Sequence, residues 1–108
     1  MTEHTTVVSP ERLQHRRLAM ATFFVRHQVA DYATWRRAYD AAKPKQDAAG
    51  VLAAAIYRSV DDPNELTVSH DFDTLEAARA WAASPELHAA MQSAGVVGAP
   101  TVWFASRA

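Results

Sequence analysis

The sequence predicts an α+β domain of the ferredoxin-like kind, in the order βαββαβ, with one four-stranded antiparallel sheet and the helices on one of its faces. Three observations carry that reading. Two stretches alternate with period two, at 21–29 and 65–72; two amphipathic helical stretches, each interrupted by a proline, separate the strands; and Asp61-Asp62-Pro63-Asn64 is a strong turn between the middle strands. At 108 residues the chain has room for one such core and not for two.

The domain is expected over residues 20–108, preceded by a flexible leader over 1–19 in which a short helix near Glu11 to Leu18 is the only regular feature. In the first strand, Ala21 to Val29, parity puts Phe23, Val25, His27 and Val29 on one face and Thr22, Phe24, Arg26 and Gln28 on the other. Both faces carry apolar groups, so both should be covered. Asp31 is placed to cap a helix with Tyr32, Trp35, Tyr39 and Ala42 along one side. Pro44 removes a backbone donor, which should kink or restart that helix before Gly50 ends it.

Val51 to Val60 and Glu65 to Phe72 then read as a hairpin about the Asp61–Asn64 turn. For the second helical region, Asp73 is the expected N-cap with Glu76 returning the bond and Phe72 closing on Ala77; Leu75, Ala78 and Ala82 form the apolar stripe, with Trp81 beside them. Ser84 caps a further segment that has Pro85 in its first position, carries Leu87, Ala90, Met91 and Ala94 on the same stripe, and stops at Gly95. Residues 96–100 read as a connection, and Thr101 to Arg107 as the last strand.

Composition excludes several function classes. Eleven basic residues stand against twelve acidic ones, a formal net charge of -1, which provides no electrostatic footprint for nucleic acid or anionic lipid. There is no cysteine, so disulfides, thiolate metal sites and cysteine nucleophiles are absent. No apolar run is long enough to span a bilayer, and a cytoplasmic protein is the default expectation. Only three glycines occur, too scattered to build a phosphate loop.

The βαββαβ order, the turn Asp61-Asp62-Pro63-Asn64 and the segment from Trp81 to Met91, WAASPELHAAM, together resemble the dimeric α+β barrel superfamily, in particular the small antibiotic biosynthesis monooxygenases. The likeness spans roughly residues 20–108. It implies a homodimer formed through the bare sheet face, and a ligand, a small aromatic or polyketide-like molecule, held between helices and sheet under Trp81. It also implies that no metal or organic cofactor is needed. The superfamily includes polyketide cyclases, haem-degrading monooxygenases and proteins without known activity, so a cyclase-like enzyme and a non-catalytic dimeric binding domain are the alternatives to a cofactor-independent monooxygenase. Trp81 stands where haem degraders carry a tryptophan, but the iron-ligand position ten residues on is Met91, a thioether in place of imidazole, with His88 one turn earlier.

The residues themselves nominate a chemistry. His27 and His70 fall on the helix-facing parity of antiparallel neighbouring strands, beside Trp35, Tyr39 and Trp81, as near-neighbour imidazoles. Histidine titrates near neutrality, so the pair is the candidate base and partner for deprotonating a phenol, with Trp35, Tyr39, Trp81, His88 and Met91 as substrate-binding residues. The competing reading makes each imidazole a hydrogen-bonded sheet residue and the aromatic stripe plain core. Ser69-His70-Asp71 is not a triad, because successive strand side chains point to opposite faces. A metal site from His27, His70 and His88 would need three elements to converge without an acidic ligand. On the opposite face Phe24, Tyr57 and Trp103 form the apolar patch expected to pair two copies, and Arg26 is expected to pair with Glu65 at that seam.

Overall fold

The computed structural model describes residues 20–108; the leader and its short helix lie outside them. The strands are β1 (Ala21–Val29), β2 (Ala53–Arg58), β3 (Glu65–Phe72) and β4 (Val96–Ala105). Four helices accompany them: α1 (Tyr32–Ala41), α2 (Lys43–Ala49), α3 (Leu75–Ala82) and α4 (Pro85–Ser93). The sheet is antiparallel throughout in the order β2-β3-β1-β4, the ferredoxin-like arrangement that the element order implied.

Burial along β1 alternates as parity requires, with Phe23, Val25, His27 and Val29 buried beneath the helices. Phe23, Leu66, Val68 and Phe72 are the largest wholly buried side chains, each worth about 1.5–3 kcal/mol of hydrophobic stabilisation. β1 and β3 meet in register, with Phe23 opposite His70, Val25 opposite Val68 and His27 opposite Leu66. At the far end of β1, Thr22 pairs with Ala105 of β4.

Local signals account for most helix ends. Asp31 accepts the Thr34 N–H at 2.9 Å and Ser84 accepts that of Leu87 at 3.1 Å, both satisfying orphan donors of a first turn. The Pro44 interruption separates α1 from α2, and Gly50, at φ 98°, closes α2 in the left-handed conformation that a side chain disfavours.

Three elements differ from expectation in their bounds. The cap of α3 is Thr74, whose Oγ1 accepts the Ala77 N–H at 3.1 Å, and not Asp73. The start thus moves by one residue, leaves Leu75 exposed and centres the buried stripe on Ala78 and Trp81. β2 is shorter than the Val51–Val60 stretch. β4 begins at Val96, because Val96 and Val97 pair with Val29 and Gln28 before the ladder resumes at Thr101 opposite Arg26. Residues 98–100, expected as part of a connection, are instead a bulge within the strand, beside His27. Gly98 takes φ 75° there, and Pro100, lacking a donor, is tolerated because β4 is an edge strand.

Candidate functional site

A cavity lies between the sheet and the helices, with His27 and His70 on its floor and Trp35, Tyr39, Trp81 and Met91 among its walls. Six of the seven sequence-nominated residues therefore meet around one space. The exception is His88, which is exposed and turned toward the Ala82 carbonyl at 3.3 Å. It follows the buried Leu87 by one residue, about 100° further round the helix, and so faces away from the cavity. His27, His70 and His88 do not converge, and among the described residues no group of three histidines or acids could hold a metal ion.

The two floor histidines share a face but are not near neighbours. His70 sits opposite Phe23, four residues along β1 from His27, a separation of about 13 Å at strand rise. Sequence parity identified the face correctly; the register between strands set the distance.

His70 is only 2% exposed and fully engaged. Its Nδ1 lies 3.1 Å from the indole Nε1 of Trp81, and its Nε2 lies 2.9 Å from the Tyr39 hydroxyl. An indole nitrogen only donates, so Nδ1 must accept, which leaves the neutral ring with its proton on Nε2, donating to the Tyr39 oxygen. Burial lowers its pKa to about 4, outweighing the opposing pull of Asp71. To gain a proton His70 would have to expel the indole N–H. Burial likewise pushes the Tyr39 phenol up, against smaller opposing effects from Arg36 and a Gln46 hydrogen bond.

His27 differs. It is 5% exposed, and neither ring nitrogen has a hydrogen-bond partner among the described residues. Burial depresses its pKa, so it is a neutral imidazole near pH 7, with one donor and one acceptor unmet. Such groups cost about 1–3 kcal/mol each when left unpaired in a protein interior. The Trp35 ring meets it edge-on at 5.9 Å between centroids, and Trp35 in turn stacks on Tyr39 at 4.9 Å.

Residues that sequence reasoning missed also line the space: Gln46 and Lys45 from α2 and Glu86 from α4. Gln46 is a buried polar side chain, and its signal was available, since it shares the inward helical face with Ala42 and Ala49. On the other side of the sheet, Arg26 reaches Glu65 at 3.7 Å within the same chain, and Phe24 stacks on Trp103 at 5.2 Å. Trp103 and Tyr57 are exposed there.

Comparison with known proteins gives this geometry a context. The sequence model described as "Antibiotic biosynthesis monooxygenase" matches residues 18–93. Among curated proteins nothing matches. A candidate antibiotic biosynthesis monooxygenase from Bordetella bronchiseptica superposes with TM-score 0.70 at 18% identity, covering 83% of this chain and 98% of its own. One from Caulobacter crescentus CB15 gives TM-score 0.67 at 16% identity over 91% and 98% of the two chains. SnoaB, a cofactor-independent oxygenase from Streptomyces nogalater, gives TM-score 0.64 at 16% identity over 83% and 96%. At these identities the structural likeness establishes the fold alone. Among the described residues no helix is long and apolar enough to cross a membrane.

Proposed function

Because the chain belongs to the antibiotic biosynthesis monooxygenase family, we propose that it binds a small aromatic or polyketide-like phenol between helices and sheet and oxidises it with dioxygen, without metal or organic cofactor. The observation that carries this reading is His27, a buried, neutral imidazole on the cavity floor with both nitrogens unpartnered among the described residues. A phenolic hydroxyl supplies the donor that its basic nitrogen lacks. As the proton moves to that nitrogen, the phenolate can pass an electron to oxygen. Recombination at a ring carbon, followed by loss of water, converts a phenol and O2 into a quinone and H2O. One oxygen atom stays on the ring, and the substrate supplies all four electrons.

In this reading His70 is a positioning residue. Its bonds hold Trp81 and the Tyr39 oxygen, and Tyr39 and Trp35 form the flat wall against which an aromatic ring stacks. We include in the proposal a homodimer that covers the Phe24, Trp103 and Tyr57 face, whose exposed aromatic groups favour a partner surface over water. The small volume of the cavity, about 40 Å³, favours the second reading, a binding domain without turnover. Oxygen uptake against a panel of phenols and quinols, with isotopically labelled dioxygen, decides between the two. Turnover that incorporates one labelled atom and falls about a hundredfold or more in His27→Ala supports the oxygenase. Tight binding without uptake supports the binding domain.

A further inference from the structure

The hydrogen bonds around His70 have a direction, and it leads to the Tyr39 hydroxyl. The indole nitrogen of Trp81 has a proton to give and no lone pair to offer, so donation runs from Trp81 to His70 Nδ1 and from His70 Nε2 to the Tyr39 oxygen. A phenol is ordinarily free to donate or to accept. Here its oxygen already accepts the imidazole N–H, and reversing the chain would set a second N–H against the indole N–H beside a ring only 2% exposed. Gln46 acts on the phenol in the same sense, since its hydrogen bond lowers the Tyr39 pKa as a bond donated to the oxygen does. The proton of Tyr39 must therefore be given elsewhere, and no acceptor among the described residues takes it. Tyr39 and Gln46 both line the cavity, whose 40 Å³ takes about three water-sized positions, room for a polar head of roughly three or four heavy atoms. Lys45 and Glu86, one cation and one anion, also line it, so charge alone does not decide what enters.

We propose that Tyr39 is an obligate hydrogen-bond donor to the ligand, and that the cavity takes a carbonyl or carboxylate oxygen at that point. Trp81, acting through His70, positions the phenol oxygen so that its hydroxyl gives a proton and does not receive one. A ligand group that can only donate is turned away, because it would meet the Tyr39 O–H donor to donor. An acceptor oxygen there completes a run of three bonds that polarise one another, from indole to imidazole to phenol to ligand. This role of Tyr39 is independent of the oxidation proposed above, since it uses neither His27 nor any step of turnover.

Long-range proton–nitrogen correlation NMR of the full chain should show His70 as the Nε2–H tautomer; an Nδ1–H tautomer overturns the assignment. Titration with acetone, acetate and ethylammonium, probes of similar small size, then reads the donor itself. Acetone or acetate should move the Trp81 indole N–H resonance to a saturable limit, through the polarised chain, and ethylammonium, which has no lone pair to offer, should not. Tyr39→Phe keeps the ring and removes the donor, and should weaken the acetone response about three- to tenfold. Acetate binding more tightly than acetone assigns the position to carboxylates, and acetone binding as tightly or more so assigns it to neutral carbonyls; either result supports the donor. No saturable shift with acetone or acetate, an equal response to ethylammonium, or unchanged affinity in Tyr39→Phe overturns it. The tautomer and the three-probe comparison are both read in the unmodified protein, so a folding defect in the variant leaves the test intact.

Discussion

His70 and His27 occupy the same face of the same sheet at similar burial, yet among the described residues one has both ring nitrogens bonded and the other has neither. Around His70 the ladder is regular on both sides, and α1 and α3 deliver a phenol and an indole to its two nitrogens. Around His27 the β4 ladder is interrupted by the bulge at residues 98–100, and the ring lines the cavity with both nitrogens covered. Burial depresses both pKa values, so titration alone does not separate them. Partner count does: a satisfied buried imidazole organises its neighbours, whereas an unsatisfied one is available to a ligand.

The sharpest way to break that contrast is to remove each ring in turn. His70→Ala should destabilise the fold by about 3–5 kcal/mol, since it opens a cavity and strands the Trp81 and Tyr39 polar groups; denaturant unfolding measures it. Acid should act through the same residue. Its pKa is near 4 when folded against 6.5 when unfolded, so between those values the unfolded chain takes up the extra proton. Stability is therefore complete above pH 6.5 and falls by about 3 kcal/mol as pH drops to 4, visible as a declining Tm. The opposite sign is expected for His27→Leu: a gain of about 1–2 kcal/mol from removing two unpaired groups, together with loss of phenol binding. A loss of stability there would show that His27 is bonded in solution. Smallest of the set, Tyr39→Phe removes the acceptor of the His70 Nε2 proton and should cost about 1 kcal/mol, with little change at His27.

The fold was legible because period-two and helical patterns survive in single residues: the alternation of β1, the caps Asp31 and Ser84, the breaks at Pro44 and Gly50. Less legible was anything that depends on the pairing of distant segments. Gly98 and Pro100 read locally as a connection, and only the valines paired across to β1 turn that stretch into strand. Asp73 and Thr74 are both good capping residues in adjacent positions, and local chemistry does not choose between them. At the site, parity brought His27 and His70 to one face. The difference between them lies in hydrogen bonds to Trp81 and Tyr39 as partners, eleven and thirty-one residues away from His70, which no spacing rule encodes. His88 flanks the apolar stripe by one position, and that step is enough to leave it exposed beside the Ala82 carbonyl.

The pairing of Thr22 with Ala105 has a practical corollary for anyone rebuilding this chain. The beginning of the first strand and the close of the last are side by side, while the Asp61–Asn64 turn sits at the other end of the sheet, where the Asn64 carbonyl accepts the Val29 N–H and Val60 is 97% exposed. In a chain cut to residues 20–108, a short peptide would therefore join those two ends, and fresh termini opened at that turn would give a circular permutant with every cavity-lining side chain where it was.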